Sequence, residues 1–158
     1  MKTIAIRIRR FPYEEPHALH LVFYATNGVF EGRLEYYCNA NDLNKIGSAL
    51  QLFPTKVPDE YNYQIGSTKP EDNFAYYFAL RPYTFDAAGH CALQVVIDNN
   101  GRRPGEGACR FSIQAEPWAL NRLGKLLLEF AKLRHHELTW TVSGDGDSLV
   151  EREAEGSN

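Results

Sequence analysis

The strongest constraint on this chain is that its sequence repeats itself. Leu43-Asn44-Lys45-Ile46-Gly47-Ser48-Ala49-Leu50-Gln51-Leu52-Phe53 aligns without a gap with Leu120-Asn121-Arg122-Leu123-Gly124-Lys125-Leu126-Leu127-Leu128-Glu129-Phe130. The same spacing brings Arg33 onto Arg110, Glu60 onto Glu137 and Tyr63 onto Trp140. Upstream, with two loop insertions, Ala18-Leu19-His20-Leu21-Val22-Phe23 matches Ala92-Leu93-Gln94-Val95-Val96-Ile97, and Pro12-Tyr13 matches Pro82-Tyr83. Blocks recurring in the same order define a duplication, and each copy is then one supersecondary unit. The units span residues 1–67 and 71–143.

Periodicity gives both units the same content. In the first, Ile4, Ile6 and Ile8 alternate with Ala5, Arg7 and Arg9; Leu19, Leu21 and Phe23 alternate next, then Leu34, Tyr36 and Cys38, with Asn27-Gly28 as a turn signal between the last two runs. Leu43, Ile46, Leu50 and Phe53 then form one helical stripe that stops at Pro54, with Asn41 as the expected N-cap. A closing strand is expected over residues 60–65. In the second unit the strands are carried by Phe74, Tyr76, Phe78 and Leu80, by Leu93, Val95 and Ile97, and by Phe111, Ile113 and Ala115. Its helix begins at Pro117 and carries Leu120, Leu123, Leu127 and Phe130, and Leu138, Trp140 and Val142 close the unit. The expected fold is α+β: two βββαβ repeats, antiparallel strands, and both helices on one face. Gly47 and Gly124 lie on the two helical stripes, where glycine costs about 1 kcal/mol relative to alanine. Finding it at equivalent positions predicts that the helix backbones approach each other there.

The chain has 158 residues, is 44% hydrophobic and carries a formal net charge of −3, which suits one globular domain that folds without metal or disulfide staples. From Gly144 onward Asp145, Asp147, Glu151, Glu153 and Glu155 face Arg152 alone. That segment carries −4, leaving residues 1–143 at +1. The sequence therefore predicts a single domain over residues 1–143 and an acidic, disordered tail over 144–158. Cys38, Cys91 and Cys109 form no CxxC pair or even framework, and are read as buried free thiols of a reducing cytoplasm. Arginines interrupt the N-terminal apolar residues, so neither a signal peptide nor a membrane span is expected, and the localisation expected is cytoplasmic.

Few residues invite catalysis. No serine lies in a Gly-x-Ser-x-Gly setting. His17 and His20, three apart in a strand, point to opposite faces, and His135 and His136 are placed just past the second helix. The loop Gly101-Arg102-Arg103-Pro104-Gly105-Glu106-Gly107 has glycines and cations that could cradle a phosphate, but it joins two strands and is read as a mobile hairpin loop. Asp145-Gly146-Asp147 hints at a calcium loop whose twelfth position is Gly156 instead of glutamate. The expectation is a non-enzymatic protein with no cofactor. Nucleic acid is not an expected partner, because the body charge of +1 is far from a basic footprint.

The informative surface is the sheet face away from the helices. Its expected residues include Arg7, Tyr24, Arg33, Glu35, Tyr37, Tyr77 and Arg110, with Arg9 and His20 among their neighbours. Tyrosine and arginine are enriched at protein-binding hot spots. These seven residues are the candidate protein-binding surface. The other readings left open are a small-ligand or enzymatic site at the junction between the units, and a homodimer formed through open sheet edges.

The run Asp86-Ala87-Ala88-Gly89-His90-Cys91-Ala92-Leu93-Gln94-Val95-Val96-Ile97, followed by Phe111-Ser112-Ile113 and the helix at residues 120–130, resembles small bacterial families in which a strand entered by D-x-x-G-H precedes a hairpin and a leucine-rich helix. These include relatives of the WapI-like immunity proteins of polymorphic and contact-dependent toxin systems. The resemblance covers residues 83–134 most clearly, and Ala87-Ala88 depart from its polar turn residues. It implies a non-enzymatic protein whose partner is a toxin domain.

Overall fold

The computed structural model describes residues 4–12 and 18–151, so that His17 and residues 152–158 of the expected tail lie outside the described residues. In chain order the elements are β1 (Ile4–Phe11), β2 (Leu19–Thr26), β3 (Glu31–Cys38), α1 (Ala40–Gln51), β4 (Tyr63–Gly66), a single 3-10 turn (Pro70–Asp72), β5 (Tyr77–Thr84), β6 (Cys91–Asp98), β7 (Ala108–Gln114), α2 (Pro117–Phe130), β8 (His135–Thr141) and β9 (Ser148–Glu151). This is the expected α+β fold of two βββαβ repeats. Strands β1–β3 form one antiparallel meander and β5–β7 another.

Neither meander keeps the closing strand of its own unit to itself. Strand β4, which follows α1, pairs with β5, and β8, which follows α2, pairs with β1. The sheets therefore run β3-β2-β1-β8-β9 and β4-β5-β6-β7. Register refines the sequence alignment. Phe23 pairs with Ile8 and Ile97 with Phe78, as the duplication requires. The closing-strand partner of Ile8 is Leu138 and that of Phe78 is Ile65, so Leu138 corresponds to Ile65. Tyr63 and Trp140 are thus not equivalent, because the connection from α1 to β4 is longer than that from α2 to β8.

One hydrophobic core joins both sheets and both helices. It contains Ile6, Leu21 and Phe23 of one sheet, Phe78, Leu93 and Val95 of the other, Leu43 and Leu50 of α1, and Leu120 and Leu127 of α2. Phe23 meets Phe78 edge-on across it, with ring centroids 4.8 Å apart. The helices are antiparallel, since Gly124 lies against Gln51 while Gly47 lies against Leu128 and Gly124. A Cβ on Gly124 would come within 2.6 Å of the Gly47 carbonyl oxygen and within 2.4 Å of the Gln51 nitrogen. The close backbone approach expected at these glycines is present. Beside it, the Asn121 amide donates to the carbonyls of Leu50 and Phe53, satisfying the C-terminus of α1 from α2.

Local sequence readings need four corrections. The N-cap of α1 is Asn39, not Asn41: its side chain accepts from the Asp42 N–H, and Asp42 accepts in return from the Asn39 N–H, a reciprocal box that Asn41 cannot complete. The first closing strand covers only residues 63–66, with Glu60 bridging to Tyr83. His135 and His136 do not trail the helix but begin β8. The strand expected from Phe74 begins only at Tyr77; within β1, Arg10 continues the inward alternation and is buried, donating to the carbonyls of Leu133 and His135.

The expectation of a disordered segment from Gly144 also fails over residues 144–151. Asp147 turns back to accept from the Thr141 N–H at 2.7 Å and from the Thr141 hydroxyl at 3.1 Å, and it pairs with Arg122. Strand β9 then adds to β8. Net charge gave no sign of this, because one carboxylate is used structurally. Asp147→Ala leaves the buried Thr141 N–H unpaired, while the Thr141 hydroxyl keeps the Asp145 carbonyl, and should lower stability by about 1–3 kcal/mol in urea denaturation; a neutral result would return the segment to an appendage.

Overpacking costs about 1–3 kcal/mol, more than the roughly 1 kcal/mol that alanine gains in a helix. Gly124→Ala should therefore lower the urea midpoint, and by more than Gly47→Ala, whose Cβ meets mainly the movable Leu128 side chain. Unchanged or higher stability for Gly124→Ala would contradict the close approach.

Candidate protein-binding surface

Alternation sends one side of the five-stranded sheet to the core and the other outward. Antiparallel register then sorts the outward side into rows. Arg33, Tyr24, Arg7 and Thr139 form one; Glu35, Val22, Arg9 and Glu137 the next; Tyr37, His20 and Phe11 the third. Five of the seven sequence-derived site residues, Arg7, Tyr24, Arg33, Glu35 and Tyr37, thus share this face. Tyr77 and Arg110 do not. They lie on the outward side of the four-stranded sheet, across from Asp98 and Val96. The expectation of a single open face is corrected here, because the duplication builds two sheets.

Tyr77 already has an internal role: its hydroxyl donates to Gln64 and accepts from Arg81. On the five-stranded sheet, Arg7, Arg9, Phe11, Val22, Tyr24 and Arg33 line a depression of about 250 Å³. Phe11, Val22 and the neighbouring Glu137 were not singled out from sequence. For Phe11 the alternation of β1 carried the signal, but Glu137 comes from the other repeat and is placed only by the strand exchange.

Charge on this face is incompletely matched. Glu137 lies 3.1 Å from Arg7 Nε and 3.4 Å from Arg9 Nε, so one carboxylate serves two guanidinium groups. The Arg7 contact is not aligned as a hydrogen bond, and its buried Nε has no hydrogen-bond partner. Arg33, an exposed residue, has no ion-pair partner among the described residues. The aromatic side is held in place: His20 Nε2 contacts Glu35 Oε1 at 2.5 Å, and its ring stacks on Tyr37 at 4.8 Å. Tyr24 donates to Glu31 Oε2 at 2.9 Å, and this bond raises its pKa while Arg7 opposes the shift, so the phenol is a neutral hydroxyl at pH 7.

The larger depression on the other sheet, about 580 Å³, is lined by Lys56, Asp59, Glu60, Arg81, Tyr83 and their neighbours. Its cations and carboxylates oppose each other. Among the described residues, no cluster of three or more His, Cys, Asp or Glu side chains could hold a metal ion. No helix among them is long and apolar enough to cross a membrane. The cysteines are free; burial pushes the Cys38 thiol up to about 12, with Asp42 adding to the shift.

The D-x-x-G-H stretch is a turn device in this fold. Asp86 accepts from the His90 N–H at 3.0 Å and contacts His90 Nδ1 at 2.6 Å, while Gly89 takes φ +86 between them. The motif entering β6 thus has a complete structural explanation in the β5–β6 hairpin. No family model, curated protein or solved structure matches the chain.

The Asp86 hydrogen bond raises the His90 pKa, and the His90 contacts lower that of Asp86. The pair therefore favours the folded hairpin between the two folded-state pKa values; its contribution is lost as pH rises through that of His90 and as it falls through that of Asp86. Asp86→Asn should bring the His90 ring titration, followed by NMR, down toward the ordinary histidine value. An unmoved titration would break the assignment.

Proposed function

We propose that this protein is a non-enzymatic recognition module that binds an acidic protein surface through the outward face of the five-stranded sheet, and that its partner is a bacterial toxin domain which it inhibits. The observation that carries the binding surface is the one-signed lining of the depression: Arg33, without an ion-pair partner among the described residues, lies beside Arg7 and Arg9, which share Glu137, and the lining holds no carboxylate. Clustered like charges with unspent donors favour a carboxylate-bearing partner, and close charge pairs across an interface couple by about 1.5–7 kcal/mol. Phe11, Tyr24 and Tyr37 supply apolar and aromatic area beside those charges. The toxin identity of the partner rests on the family resemblance alone.

The test has two parts. The product of a neighbouring toxin-like gene, purified with and without this protein, should lose its activity on complex formation at nanomolar concentration. Arg7→Glu/Arg33→Glu should weaken that complex by about 100-fold or more in calorimetry while preserving the fold. Full affinity in the charge-reversed variant would remove the sheet face from the interface. Absence of any complex with the neighbour would remove the immunity role.

A further inference from the structure

The segment joining the two repeats builds a second site. Between residues 68–75 and the loop at Asn100, Gly101 and Arg102 lies a cleft of about 500 Å³, within the range of small-molecule sites. Its lining includes Lys69 and Arg102, one from each wall, and no carboxylate. Neither cation has an ion-pair partner among the described residues. Thr68 and Asn73 add neutral polar side chains with no hydrogen-bond partner among those residues, and Phe74 offers a ring that is 52% exposed.

The backbone of both walls is fixed by hydrogen bonds, which places the Lys69 and Arg102 positions on either side of the cleft. Asn100, at φ 49, donates its side-chain amide to the Ser67 and Phe74 carbonyls at 2.8 and 3.0 Å, tying the inter-repeat segment to the loop. Asn99 Oδ1 accepts from the N–H groups of Gly101 and Gly107, and its amide donates to the Gly105 carbonyl. The glycine- and arginine-rich loop, expected to be a mobile hairpin, is thus braced from within. Two of the nearby acids are turned to other work, since Asp98 accepts from the Asn100 N–H and Asp72 from Ser67, while Glu71 is an exposed carboxylate on the turn that follows Lys69.

We propose that this cleft binds a nucleotide-class ligand, its phosphate held between Lys69 and Arg102 and its base against Phe74. Two cations from opposite walls match a dianionic phosphate, the neutral donors can take its remaining oxygens, and an exposed aromatic face accepts a planar ring. Recognition here is independent of the sheet face, so either proposal can fail without the other.

The probes are AMP, adenosine and inorganic phosphate, added separately to the full chain and followed by amide chemical shifts and calorimetry. AMP should shift the amides of residues 68–75 and 100–102 saturably, with adenosine and phosphate each at least about tenfold weaker. Lys69→Ala, Arg102→Ala and Phe74→Ala should each weaken AMP by about tenfold or more with the urea midpoint retained. No saturable shift at millimolar AMP, or AMP affinity unaffected by these substitutions, would overturn the site. Phosphate binding as tightly as AMP would overturn the nucleotide class.

Discussion

The contact between the two helices sets the distance that the rest of the molecule must respect. Backbone meets backbone where Gly124 faces the Gly47 carbonyl and the Gln51 amide, leaving no room for a side chain. From that crossing the buried stripes of α1 and α2 reach into one core shared by both sheets. Larger residues at the two glycines would push the helices apart and open that core, a loss that grows with the volume exposed. Asn121, donating to the last carbonyls of α1, holds the same junction by hydrogen bonds.

Strand exchange is the second constraint, and it explains why the duplication does not produce two separable halves. Each meander is completed by the closing strand of the other repeat, β1 by β8 and β5 by β4. Breaking either repeat therefore uncovers a sheet edge in its neighbour. The exchange also creates the candidate surface: Glu137, which partly neutralises Arg7 and Arg9, belongs to the second repeat, whereas the arginines belong to the first. The two copies are not equivalent, since β9 extends only the five-stranded sheet.

The duplication, the strand alternation and the helical stripes were legible because each depends on local periodicity. Gly47 and Gly124 were legible because an unfavourable residue recurs at matched positions. The partner of each closing strand was not, as pairing between distant segments leaves no local trace, and the longer connection before β4 shifted Tyr63 out of equivalence with Trp140. For the same reason Tyr77 and Arg110 were grouped with Arg7 and Tyr24 on one face, although they occupy the other sheet. The order at residues 144–151 escaped because an acidic run reads as solvated unless a specific donor, here Thr141 with Arg122, claims one of its carboxylates.

The repeats form one cooperative unit held by the helix crossing and the exchanged strands. Native-state hydrogen exchange across a denaturant series measures this on the intact chain, because amides that open only by global unfolding converge on one free energy and one denaturant slope. A common limit is expected for Leu21 and Phe23 of β2, Leu93 and Val95 of β6, and Leu138 and Trp140 of β8. Two separate limits, with β5–β7 opening while β1–β3 stay protected, would contradict it.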